Sequence, residues 1–292
     1  MPEIVVHEMP SMNKASLVLA FAGWPDACAA ATGAVQYLIE TLPARKFAEI
    51  EPENFFDFTI VRPTTRLLTT GFREVKWPAN EFYHWRSESG EHQLVLFQGI
   101  EPNLRWKTFT GLIASLAVDC GVGQMVTLGA LLDSVPHTRE TKLTGSGNTA
   151  ELRAKLEGMG LQFSGYQGPT GIHSALYEAC MQRSIPLASI WGHAPHYIQG
   201  IPNPKVSYAI LRQLRQFLGF GPDLSSLAAA AASFDEHMER ALAEQAELRA
   251  YVARLEEQFG TSETREIPNP QDLVTELEEF LKREREQKDE EE

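Results

Sequence analysis

Long hydrophobic runs are missing from this sequence: no window holds the roughly 18 uninterrupted apolar residues that a membrane-spanning helix needs. The opening stretch MPEIVVHEMPSMNK has no basic segment followed by an apolar one, so it does not read as a secretory leader. A soluble cytoplasmic protein without a membrane partner is the expectation. Cysteine is scarce as well: Cys28, Cys120 and Cys180 lie far apart, with no Cys-x-x-Cys pair. That excludes a disulfide or zinc framework, and the three read as reduced, buried packing residues of helices. Positive charge is in deficit, with 26 Lys and Arg against 39 Asp and Glu for a net charge of −13. With no basic stripe visible, nucleic acid is not an expected partner. Part of the surplus is local, because the stretch from Gln271 onward, QDLVTELEEFLKREREQKDEEE, is rich in acid; it reads either as a solvated tail or as an acidic docking tail.

Apolar residues, at 43% of 292, are sufficient for a sizeable core. Strand-length apolar runs recur at Ile4 to Val6, Leu17 to Ala22, Phe47 to Ile50, Leu94 to Phe97, Met125 to Leu128 and Leu187 to Trp191. Helical patterns fall between several of them, at Asp26 to Glu40, Asn103 to Cys120, Thr149 to Gly158, Ile172 to Arg183 and Lys205 to Leu218. Short strands that are apolar on both faces and alternate with helices predict an α/β fold, a three-layer α/β/α sandwich around a mostly parallel sheet. The region from Phe58 to His92 breaks the rhythm and reads as antiparallel strands or a hairpin around a Pro-Ala-Asn turn. Ser134 to Asn148 reads as a long loop, of the kind that carries function in compact domains.

Composition changes after Gly219 to Asp223, dividing the chain into an α/β/α domain at 1–220 and a helical extension at 221–292. Leu227, Ala231, Phe234, Met238, Ala241, Gln245, Leu248, Val252, Leu255 and Phe259 form a heptad seam, which predicts one long helix with a narrow buried stripe. Its partner is another helix of the same chain or a neighbouring subunit. Gln245 is a polar interruption in the seam. A linker from Gly260 to Pro270 then leads to a second amphipathic helix with Leu273, Leu277 and Phe280 on one side.

Four turns share the layout in which open α/β sheets bind ligands, a strand feeding a helix through a glycine-containing loop. They are Gly23-Trp24-Pro25-Asp26, Gly99-Ile100-Glu101-Pro102-Asn103, Gly168-Pro169-Thr170-Gly171, and the run from Gly192 through His193 and His196 to Tyr197. In a parallel sheet they gather at one rim. Gly23, Trp24, Asp26, Glu101, Asn103, Gly171, His173, His193 and His196 are its candidate residues, with His137 and Arg139 from the long loop. Pro25 and Asp26 suit the first turn of a helix, but Trp24 has no such explanation. No P-loop, dinucleotide fingerprint or Gly-x-Ser-x-Gly elbow is present. His193 and His196 straddle a proline, unlike the helical pair of zincins. No catalytic residue, metal or cofactor is expected.

The order FAGWPDA, GIEPNLRW, GALLDSVPHTR, GPTGI and WGHAPHYI resembles the PAC2 family, the proteasome assembly chaperone 2 superfamily, in its actinobacterial branch. The resemblance covers roughly residues 1–220. It implies an architecture akin to purine nucleoside phosphorylases, self-assembly with a trimer favoured, and a chaperone-like, non-enzymatic role linked to the proteasome or another protein. One departure stands out: proteasome-binding members end in a hydrophobic-Tyr-any motif, whereas this chain ends KDEEE, which argues against insertion of its C-terminus into the ring. The other functional class left open is a small-molecule binding protein or enzyme, taking a nucleoside-like or anionic ligand in a pocket at the rim.

Overall fold

Residues 3–243 and 245–259 are described by the structure, a computed structural model. The strands are β1 Ile4–Val6, β2 Ala15–Ala22, β3 Arg45–Ile50, β4 Thr64–Leu67, β5 Arg73–Lys76, β6 Glu81–Arg86, β7 Gln93–Ile100, β8 Val122–Asp133, β9 Leu143–Gly147, β10 Gln162–Phe163 and β11 Leu187–Pro195. The helices are α1 Ala30–Thr41, α2 Trp106–Asp119, α3 Ala150–Gly158, α4 Ile172–Gln182, α5 Pro204–Leu218, α6 Ser225–Ala243 and α7 Ala246–Phe259. Nine strands form one sheet in the order β1-β3-β6-β7-β2-β8-β11-β9-β10. Its four central strands, β7, β2, β8 and β11, are parallel, while the β6 and β9 neighbours on either side run antiparallel to them.

β2 shows why the layers form. Leu17, Leu19 and Phe21 face one way into a core with Phe97, Phe109 and Ile113, beneath α2 and α4. Val18 and Ala20 face the other way, against Ala31 and Val35 of α1 and Ile210 of α5. A strand buried on both faces needs a cover on both, and each fully buried Leu, Val or Phe contributes roughly 1.5–3 kcal/mol. The expected α/β/α sandwich is the observed one.

Several local expectations need correction. The long loop from Ser134 to Asn148 contains β9, antiparallel to β11. Its sequence, LTGSG, lacks apolar bulk because the space does: a Cβ on Gly145 would lie 3.1 Å from the Ser189 carbonyl oxygen, and one on Gly147 3.0 Å from the Leu152 Cβ. The antiparallel strands expected between Phe58 and His92 are present, but the hairpin turns at 68–72 and not at Pro78-Ala79-Asn80, the Leu68 amide donating to the Phe72 carbonyl at 2.8 Å. Its strands β4 and β5 form a separate two-stranded sheet, and β6 joins the main one. The first helix begins at Ala30 rather than Asp26, after a 3-10 turn at Ala27–Ala29 that places Cys28 in the strand-to-helix connection, half-buried.

The heptad seam forms two helices, α6 and α7, in place of one. A single helix of that length would extend about 50 Å, with only its beginning lying on the body. Instead Leu227 and Ala231 are buried from α6 and Val252 and Leu255 from α7. Gln245 sits between them, exposed, its amide donating to the Leu242 carbonyl at 3.1 Å. The linker and the second amphipathic helix at 260–292 lie outside the described residues. No helix among the described residues is long and apolar enough to cross a membrane.

Candidate functional site

Because β7, β2, β8 and β11 are parallel, their carboxyl ends at Ile100, Ala22, Asp133 and Pro195 share one rim. The rim divides into an open half and a covered half. In the open half Gly23, Trp24, Glu101 and Gly171 meet. The N-terminus of α4 has Gly171 as its cap and so no side chain to satisfy its amides; the Glu101 carboxylate takes that role from the neighbouring turn, accepting from the Ile172 amide at 2.8 Å. Gly23 adopts φ +117°, a conformation that favours glycine, and a Cβ there would sit 3.3 Å from the Glu101 Cβ. A Cβ on Gly171 would lie 2.9 Å from Glu101 Oε1 and 3.0 Å from Trp24 Cε3. The indole of Trp24 thus rests over Gly171 with 64% of the residue exposed.

Asp26, buried, and Asn103, exposed, build this half through hydrogen bonds to neighbouring backbone. Buried Asp26 accepts from the Ala31 amide at 2.7 Å, the Thr32 amide at 3.2 Å and the Thr32 hydroxyl, and burial pushes its carboxyl pKa up. Those bonds hold Cys28 and Ala29 in the left-handed region, at φ 56° and 49°. Burial raises the Cys28 thiol too, the wrong direction for a nucleophile. Asn103 ties its turn to 55–57: its Oδ1 accepts from the Asp57 amide and its own amide donates to the Phe55 carbonyl, both at 3.0 Å.

The covered half centres on Asp133, which ends β8. His193 Nδ1 lies 2.7 Å from Asp133 Oδ2, and His193 Nε2 lies 3.0 Å from Thr144 Oγ1 on β9. A carboxylate, imidazole and hydroxyl in series have the layout of an acyl-transfer triad, but here they brace three adjacent strands, with both His193 and Thr144 buried. The His193 hydrogen bond holds the Asp133 carboxyl well below the usual carboxylate range, with Lys142 at 3.2 Å adding to the effect. His196 Nδ1 is 3.1 Å from the Asp133 carbonyl, and its Nε2 is 3.1 Å from the Tyr251 hydroxyl of α7. Thr138 donates to Glu256 of α7, and Lys205 pairs with Asp235 of α6 at 2.8 Å. Helices α6 and α7 therefore lie over this half of the rim.

His137 is buried here, with its ring Nδ1 and its amide each 2.8 Å from the Tyr197 hydroxyl; burial, and then the Lys205 charge, lower its pKa. Burial pushes Tyr197 up to about 12. Arg139 is exposed and bonds to no described residue. His173 belongs to neither half: it is sealed between Phe21 and Trp191, with ring centroids at 5.8 and 4.8 Å, and neither nitrogen has a partner among the described residues. Asp133, Thr144, Tyr197 and Tyr251 were absent from the sequence-based set. Only Asp133, a carboxylate closing an apolar strand, carried a sequence signal.

A family model for the PAC2 family matches residues 20–242, most of the chain. The chain belongs to the PAC2 family. A PAC2 family protein from Streptomyces avermitilis is similar at 34% identity and TM-score 0.74, covering 81% of this chain and 99% of its own. A Mycobacterium tuberculosis proteasome-assembly chaperone homologue matches at 36% identity and TM-score 0.74, with the same coverage. PbaB, an archaeal proteasome activator from Pyrococcus furiosus, shares the fold at 21% identity and TM-score 0.63, covering 82% of this chain and 97% of its own. No curated protein matches. Proteasome-assembly chaperone homologues and a proteasome activator therefore stand among the structural relatives of this PAC2 chain.

Proposed function

We propose that this PAC2 chain is a cytoplasmic, non-enzymatic, chaperone-like interaction module that assembles with itself, as a trimer, and binds a proteasome subunit through the open half of its rim. The observation that carries this reading is Trp24, exposed on a turn whose surrounding polar groups are already bonded: Glu101 caps α4 and Asp26 caps α1. Leu104, on the Glu101 loop, is half-exposed as well. A tryptophan held rigidly at a surface is the residue type that dominates protein interfaces. The alternative, a small-molecule pocket, would need Trp24, Glu101, His173 and His193 around one concavity. They occupy separate surroundings, at the surface, on a helix end, in the core and between strands.

The test is affinity. Full-length protein titrated against purified proteasome subunits is expected to bind at least one, and Trp24→Ala is expected to weaken that binding about 30-fold, the hot-spot scale. An unchanged melting temperature would show that the loss is not unfolding. Equal affinity for both proteins, or no binding to any subunit, would refute the reading.

A further inference from the structure

The hairpin β4–β5 is a second unexplained surface. All eight of its strand residues are exposed. Its cross-strand register puts Leu67 and Val75 on one face, with the Leu68–Phe72 pair closing the turn from the other. Leu67 is 68% exposed, Phe72 74% and Val75 51%, so neither face is covered by the described residues. A two-stranded ribbon on its own is marginal in water, and its outer edges offer unpaired amides and carbonyls.

Charge indicates what covers it. Between Arg62 and Lys76 the chain has four basic residues and one acidic one, against a net charge of −13 for the whole. Within the hairpin Arg66 pairs with Glu74 at 2.9 Å, but neither Arg62 nor Arg73 pairs with a described residue. A groove of about 740 Å³ runs between the hairpin and the body, with Glu51 and Glu53 on the body side. Neither of those side chains has a described partner, whereas Glu49 and Glu81 are held by Lys46 at 2.6 and 2.7 Å. The same molecule thus carries an apolar, basic arm and, lined on the hairpin side by Arg66, Glu74 and Lys76, a groove in which Glu51 and Glu53 are matched by no described residue.

We propose that the β4–β5 hairpin is an exchange arm that packs into this groove of a second copy of this chain, placing Leu67, Phe72 and Val75 against the neighbour and Arg62 and Arg73 near its Glu51 and Glu53. This rests on the self-association proposed above and assigns it an interface, separate from the Trp24 rim.

Sedimentation velocity of the full chain tests it. Wild type is expected to sediment as an oligomer. Phe72→Ser and Val75→Ser are each expected to weaken association about 30-fold, and the arm reversal Arg62→Glu/Arg73→Glu to give monomers with unchanged far-UV circular dichroism. Adding Glu51→Arg/Glu53→Arg to the reversed arm is expected to restore the oligomer. An oligomer that survives arm reversal, or a charge-swapped chain that stays monomeric, overturns the arm proposal and leaves self-association standing. A monomeric wild type overturns both.

Discussion

Acidification from pH 7 to pH 4 is expected to cost the native state about 3 kcal/mol through His173 alone. Burial brings the pKa of this histidine down to about 3, against an ordinary 6.5, because the imidazolium would sit between Phe21 and Trp191 with no bonding partner among the described residues. Between those values the unfolded chain binds a proton that the folded chain refuses, so stability falls as pH falls through 6.5 and toward 3. Asp133 acts with the same sign at lower pH, since its depressed carboxyl contributes stability that is lost as it protonates. Asp26 acts oppositely, because its raised carboxyl takes up a proton more readily in the folded state. The His173 share is isolated by comparison with His173→Leu, which removes two unpartnered buried nitrogens and is expected to lie within about 1 kcal/mol of wild type at pH 7. Urea midpoints at pH 4 to 7 check it: a flatter pH dependence for the variant is expected, and parallel curves would contradict a sealed neutral imidazole.

Asp26→Ala is expected to destabilise the fold by about 3 kcal/mol. The carboxylate satisfies two amides at the start of α1 and the Thr32 hydroxyl, all out of water, and alanine leaves all three unpaired. It also releases the turn that holds Cys28 and Ala29 at positive φ. Asp26→Asn keeps an acceptor for the amides and should cost about 1 kcal/mol. Chemical denaturation of the three proteins at pH 7 measures the order; a loss for Ala no larger than the roughly 1 kcal/mol expected of Asn would mean that these hydrogen bonds are not the anchor.

How much of this was readable in the sequence depended on whether a local pattern agreed with its tertiary setting. The two-sided apolar run at Leu17 to Ala22 could only be an inner strand, and it is. LTGSG has no strand signature, because its glycines answer to Ser189 and Leu152, which are distant in the chain or on the next helix. Nothing in the run Leu242 to Arg249, made of good helix formers, marks a boundary between α6 and α7. That boundary follows from where Tyr251, Val252 and Leu255 find contacts. At the rim, Trp24 was visible because a helix start does not require a tryptophan. The role of Glu101 was hidden, since capping α4 from another turn depends on two strand ends meeting. The histidines looked equivalent in sequence and are not: one is sealed in the core, one braces strands, and one meets α7.

Hydrogen exchange of the protein alone and bound to a proteasome subunit tests most directly whether the open rim is the partner surface. Slower exchange in the bound state is expected around Gly23 to Asp26, Glu101 to Arg105 and the start of α4. Protection confined to α6 and α7, with exchange at those three turns unchanged, would contradict it.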